Sequence, residues 1–121
     1  NNKKINLHLI SDSTGETIGS IARAVLSQFE NVETNDFVWS LTRTKTQLDK
    51  ALEAINQYPG IVLYTIMQEE LVEELRKKCH QLQLPCIPVL SPIIAEFSKY
   101  LNIEYGPTGV GAFKLVIIIS F

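Results

Sequence analysis

Apolar positions along the chain switch regularly between two periods. Ile5-Asn6-Leu7-His8-Leu9-Ile10 reads as a strand, after which Ile18, Ile21, Ala22, Val25, Leu26 and Phe29 keep the spacing of one helix face. Phe37-Val38-Trp39-Ser40-Leu41 predicts a second strand. Leu48, Ala51, Leu52 and Ile55 predict a second helix, which Pro59-Gly60 stops. Ile61-Val62-Leu63-Tyr64-Thr65 is apolar nearly throughout, as a strand covered on both faces should be. A third helix follows on Leu71, Val72, Leu75, Cys79 and Leu82. Cys86-Ile87-Pro88-Val89-Leu90 predicts a fourth strand, with Pro88 favouring a sheet edge or strand end because it lacks a backbone donor. Ser91-Pro92 then opens a fourth helix as N-cap and first-turn proline, carrying Ile93, Ile94, Phe97 and Leu101.

Four strand–helix units in strict alternation specify an α/β fold: a three-layer, flavodoxin- or Rossmann-like parallel sheet. Right-handed crossovers favour the strand order 2-1-3-4. In such a sheet ligands bind outside the carboxyl ends of the strands, where the order reverses. The loops that fall there are residues 11–17, 42–46, 65–68 and 90–91.

The first of these loops carries the most chemistry. Ser11-Asp12-Ser13-Thr14-Gly15-Glu16-Thr17 joins a strand to a helix, so unpaired backbone N–H groups and the positive end of the helix dipole face outward. Phosphate or carboxylate would sit there, with Ser11, Ser13, Thr14, Gly15, Glu16 and Thr17 as the candidate contacts. Arg43 and Lys45 on the second loop would add charge from across the crevice. The same residues also fit plainer roles. Ser13 and Glu16 match a capping box, as do Thr44 and Gln47, and the two cations fit solvated loop charge. Asp12 is the one candidate catalytic residue, as a proton acceptor, although turn aspartates commonly bond their own backbone.

Composition narrows the classes. The chain has 121 residues, 45% of them hydrophobic, enough for one domain with a core. A net charge of −2 gives no general attraction to nucleic acid or anionic membranes. The longest apolar run, Leu115-Val116-Ile117-Ile118-Ile119, is too short to cross a bilayer, and its β-branched residues favour a fifth strand over residues 115–120. With no secretory signal in view and two cysteines, a soluble cytoplasmic protein with reduced thiols is expected. Cys79, His80 and Cys86 do not make a zinc pattern, and no metal site is expected. Gly106-Pro107-Thr108-Gly109-Val110-Gly111-Ala112-Phe113 begins like a phosphate-binding loop. However, Ala112 stands where its lysine belongs and Phe113 where the magnesium-binding hydroxyl belongs, so no nucleotide-binding residues are assigned.

Leu9-Ile10-Ser11-Asp12-Ser13-Thr14-Gly15-Glu16-Thr17 is similar to the opening motif of the bacterial pyruvate, phosphate dikinase and phosphoenolpyruvate synthase regulatory proteins. Three further blocks agree in order and spacing: Arg43-Thr44-Lys45-Thr46-Gln47-Leu48-Asp49, Pro59-Gly60-Ile61-Val62-Leu63-Tyr64-Thr65 and Pro85-Cys86-Ile87-Pro88-Val89-Leu90-Ser91-Pro92. The resemblance implies a bifunctional serine/threonine kinase and phosphorylase acting on the dikinase or the synthase. Such an enzyme uses ADP to phosphorylate a threonine, and inorganic phosphate to remove that group as pyrophosphate. It places residues 1–104 as the family's N-terminal domain. Residues 105–121 diverge, as a truncated or frameshifted end would. Family members carry their nucleotide loop in a C-terminal half, so ADP and phosphate are implied for the whole enzyme, and this chain is expected to hold no cofactor and to be inactive alone. Two other readings remain: a non-catalytic module that binds an anion or a partner, and a stand-alone flavodoxin-like domain for a nucleotide or flavin. Homo-oligomerisation stays open.

Overall fold

The computed structural model describes residues 2–105. The strand expected at residues 115–120 and the glycine-rich segment 106–113 lie outside the described residues. In chain order the elements are β1 (Lys3–Ile10), α1 (Glu16–Leu26), β2 (Val32–Trp39), α2 (Lys45–Gln57), β3 (Gly60–Tyr64), α3 (Glu69–Leu82), β4 (Cys86–Pro88) and α4 (Ser91–Leu101). The four strands form one parallel sheet in the order β2-β1-β3-β4. This is the expected α/β architecture and strand order.

Alternation along the strands divides the core into two layers. On one face Leu7, Leu9 and Leu63 pack against Ile18 and Ala22 of α1. On the other, Ile10, Val62 and Tyr64 pack against Leu48, Ala51 and Ile55 of α2 and Leu71, Leu75 and Cys79 of α3. Each fully buried Leu or Ile contributes about 1.5–3 kcal/mol, so the two central strands are held from both sides. Their spacing depends on Gly60, which pairs with Asn6 in the register. A Cβ at Gly60 would lie 2.0 Å from the Asn6 carbonyl oxygen.

His8, in the middle of β1, is fully buried. Its ring stacks on Phe37 at 4.7 Å, and Phe37 stacks on Tyr58 at 5.1 Å. Nε2 lies 2.7 Å from the Tyr58 carbonyl, which can only accept, so the neutral ring carries its proton on Nε2. Nδ1 has no partner. Burial pushes the His8 pKa down from its ordinary value, and the Tyr58 hydrogen bond offsets only part of that effect.

Several boundaries differ from the sequence pattern. β2 starts at Val32 rather than Phe37, because polar residues 33–36 pair along the whole edge of β1. It also ends before Leu41, which adopts a left-handed φ of 54°. α1 stops at Leu26, where Ser27 turns its hydroxyl onto the Ala24 carbonyl at 2.7 Å, and Phe29 is left 60% exposed beyond it. Ser91 is the first residue of α4 rather than its cap, and its hydroxyl points to the Met67 sulfur. The apolar face expected to bury α4 is open: no α4 residue is buried, and Phe97 is 63% exposed. Pro88 closes β4 at the sheet edge, as its missing donor requires. No helix among the described residues is long and apolar enough to cross a membrane.

Candidate anion site at the strand crossover

β1 and β3 are neighbours, but the chain leaves them in opposite directions, toward β2 and toward β4. The point of reversal is therefore the carboxyl end of β1, where residues 11–15 lead into α1. Ser11 is almost fully buried and acts as a brace. Its N–H donates to the Trp39 carbonyl at 2.8 Å, and its own carbonyl accepts from Thr42 N–H at 2.8 Å. Its Oγ accepts from Ser13 N–H at 3.0 Å and shares a hydrogen bond with Ser13 Oγ at 3.1 Å. Leu41 N–H donates to the Ser13 carbonyl at 2.8 Å. Thr42, also buried, donates its hydroxyl to Trp39 at 3.2 Å. The turn after β1 is thus laced to the loop after β2.

This lacing decides how α1 begins. The expected capping box of Ser13 and Glu16 does not form, because Ser13 is engaged with Ser11 and the helix starts two residues later. Gly15 is the N-cap, at φ 89°, and no side chain bonds the first turn. A left-handed conformation of this kind suits glycine and costs other residues roughly 1–2 kcal/mol. The first-turn N–H groups of α1 are left without a side-chain cap, next to the exposed hydroxyls of Ser13, Thr14 and Thr17. Glu16 is exposed in that turn, where its carboxylate favours the dipole but shares the sign of an incoming anion. Its N–H, rather than its side chain, suits a ligand.

Arg43 is brought to the turn, with Nε donating to the Asp12 carbonyl at 2.9 Å. Its terminal nitrogens make no hydrogen bond to another described residue. The Arg43 backbone is fixed by Gln47, whose Oε1 accepts from the N–H groups of Arg43 at 2.8 Å and Thr44 at 3.1 Å. Thr44 Oγ1 accepts from Gln47 N–H at 3.2 Å, completing the expected capping box of α2. Lys45 is not brought to the turn. Its ammonium pairs with Glu74 of α3 at 3.0 Å and with Asp49 at 3.5 Å, and those carboxylates hold its pKa above the ordinary value. Asp12 is half-buried beside Arg43.

Thr65 carries a feature that the sequence did not flag. Its N–H donates to the Ile10 carbonyl at 2.9 Å, which sets it beside Ser11 just past the end of β3. Leu63 belongs to the α1-side core while Tyr64 and Ile66 belong to the other, so alternation puts Thr65 on the α1 side. It is 94% buried, yet its hydroxyl has no partner. Nothing in the composition of the β3 segment signals that; only the pairing of β3 with β1 does. Sequence reasoning also missed a concavity of about 810 Å³ at the ends of β3 and β4, lined by Tyr64, Ile66, Arg76, Pro88, Ser91 and Tyr105. Among the described residues no group of His, Cys, Asp or Glu is placed to hold a metal ion.

An open parallel sheet with an uncapped helix start and a fixed arginine at its crossover defines an α/β domain whose candidate site is that turn. The chain belongs to the kinase/pyrophosphorylase family, whose family model matches residues 7–112. It is 45% identical over 101 residues to a protein of Bartonella henselae named as a pyruvate, phosphate dikinase regulatory protein, a match covering 84% of this chain and 37% of the relative. A protein of the same name from Ehrlichia chaffeensis is 45% identical over 104 residues, covering 85% of this chain and 38% of the relative. One from Rhodopseudomonas palustris is 44% identical over 97 residues, covering 80% and 35%. The chain thus spans somewhat over a third of the length of these curated relatives.

Proposed function

We propose that this chain is the N-terminal α/β domain of an enzyme that regulates pyruvate, phosphate dikinase by reversible phosphorylation of a threonine. ADP serves as donor in one direction and inorganic phosphate as acceptor in the other. The domain's own part is to seat a phosphate or phosphoryl group at the β1–α1 turn and to present the crevice face to the dikinase. The observation that carries this reading is the uncapped start of α1 with Arg43 tied to Asp12 at its mouth, in a family whose curated members bear the dikinase in their names. Phosphoryl transfer is largely positioning and charge neutralisation, and needs a nucleotide cradle, a metal and a base. Residues 2–105 offer an anion seat and one candidate base, Asp12. We therefore expect the chain alone to be inactive and to act only joined to the remaining length of a relative.

The test is a chimera in which residues 1–104 replace the segment of the Bartonella henselae relative that they match over 101 residues. Incubated with dikinase, ADP and magnesium, the chimera should yield phosphothreonine by mass spectrometry, while the isolated chain yields none. A chimera that stays inert beside an active parent would contradict the proposal. So would turnover by the isolated chain that disappears in Asp12→Ala, since it would place a complete catalytic centre in this domain.

A further inference from the structure

Cys79 and Cys86 stand apart from the anion site, on the α3 side of the sheet. Cys79 lies near the end of α3, and Cys86 opens β4 seven residues beyond it, with Leu84 N–H bonded to the Cys79 carbonyl at 2.9 Å. This return folds the segment between them back on itself, and both side chains pack into the same core cluster. Both are free thiols. Both also line one surface depression of about 540 Å³, together with Arg76, Lys77, His80 and Glu73. Cys79 is almost fully buried and Cys86 half-buried, so the depression is the route by which a small reagent reaches the sulfurs.

We propose that Cys79 and Cys86 are a reversible dithiol–disulfide pair, oxidised by a small peroxide that enters through this depression. The step balances as two thiols and one hydrogen peroxide giving one disulfide and two waters. A thiolate attacks the peroxide oxygen, the O–O bond breaks, and a sulfenic acid forms as hydroxide leaves and is protonated to water. The second thiol then attacks that sulfur, its proton leaves with the departing hydroxyl as the second water, and the S–S bond closes. Two features favour Cys79 as the first nucleophile. The basic side chains at the depression favour a thiolate. Cys86 pushes the Cys79 pKa down, while Cys79 and burial push the Cys86 pKa up, so the proton stays on Cys86. The resulting bond would tie the end of α3 to the start of β4. Tyr64, which packs in the same core cluster, and Arg76, which lines the depression, would feel it directly.

The sequence supplies a clean readout. No Lys or Arg lies between Lys78 and Lys99, so trypsin releases both cysteines in one peptide, residues 79–99. The folded, reduced chain is treated with hydrogen peroxide, alkylated and digested. The proposal expects that peptide two hydrogen masses lighter and unalkylated, with full alkylation restored by dithiothreitol. Cys79→Ser and Cys86→Ser should each abolish the light peptide. Disulfide-linked dimers, or Cys86 oxidised to sulfinic acid while Cys79 remains alkylatable, would overturn it. So would a folded chain that forms the bond no faster than the same chain in urea, since the fold would then contribute nothing.

Discussion

Gly60→Ala isolates the contact that sets the two central strands. The added Cβ would lie 2.0 Å from the Asn6 carbonyl oxygen, 2.6 Å from its carbonyl carbon and 2.8 Å from its Cβ. These are atoms of a central strand rather than the tip of a flexible side chain, so β1 and β3 must part by about 1 Å to bring the nearest contact to 3.0 Å. Overpacking of this kind costs about 1–3 kcal/mol. Losing one ladder hydrogen bond at that end adds about 1 kcal/mol, giving a total of about 2–4 kcal/mol. For a domain of this size each kcal/mol lowers Tm by about 4–8 °C. Gly19→Ala is the matched control. Its Cβ would meet only the flexible tip of Arg23, at 3.4 Å, within a helix. That change should stabilise by about 0.4–1 kcal/mol. Urea unfolding followed by the fluorescence of Trp39, the single tryptophan, measures both. A Gly60→Ala chain within about 0.5 kcal/mol of the parent, the range of an ordinary surface change, would refute the close approach of β1 and β3.

Acidification should destabilise the fold through His8. Its unfolded pKa is near the model-peptide value of 6.5 and its folded pKa lies below that, so the unfolded chain binds more protons in between. The contribution is fully present above pH 6.5 and is lost as pH falls through the folded pKa, and His8→Gln should flatten this part of a stability-versus-pH curve. An unchanged slope in that variant would remove His8 as the cause. Thr44→Ala deletes the α2 cap and should cost about 0.5–2 kcal/mol in the same urea assay; no loss would mean that Gln47 holds the helix start unaided. Gly15→Ala places a side chain at φ 89° in ordinary contact with Val38 and Ser40, at 3.6 and 3.9 Å, and should cost roughly 1–2 kcal/mol from the backbone alone. A neutral result would mean that α1 starts elsewhere.

The long, strongly periodic elements were legible in the sequence because their apolar spacing coincides with burial: Leu48, Ala51 and Ile55 on α2, or Val62 and Tyr64 on β3. The Thr44 capping box was legible for the same local reason, since nothing competes for Thr44 or Gln47. Ser13 and Glu16 show the same pattern, but tertiary bonds from Ser13 to Ser11 and Leu41 override it. Leu41 gives no hint of its left-handed φ, because that conformation comes from bonding across to Ser13. Lys45 looked available on the turn, yet the partner that diverts it, Glu74, is 29 residues away. Thr65 reads as the end of an apolar strand until pairing sets it next to Ser11 with an unpartnered hydroxyl. The apolar stripe of α4 predicted the helix correctly but not its burial.

The central claim is that the β1–α1 turn and Arg43 seat a phosphate group, and backbone amide shifts during a titration with inorganic phosphate test it most directly. The account predicts saturable shifts at Glu16, Thr17 and Ile18, the uncapped first turn of α1, with a matching shift at the Arg43 side chain. Each charge-assisted hydrogen bond is worth about 1.5–3 kcal/mol, and about 1.4 kcal/mol is a factor of ten, so Arg43→Ala should weaken binding by about tenfold or more. Lys45→Ala, which removes a charge committed to Glu74 and Asp49, should change it little. Phosphate that leaves these amides unmoved, or binds Arg43→Ala as tightly as the parent, would contradict the account.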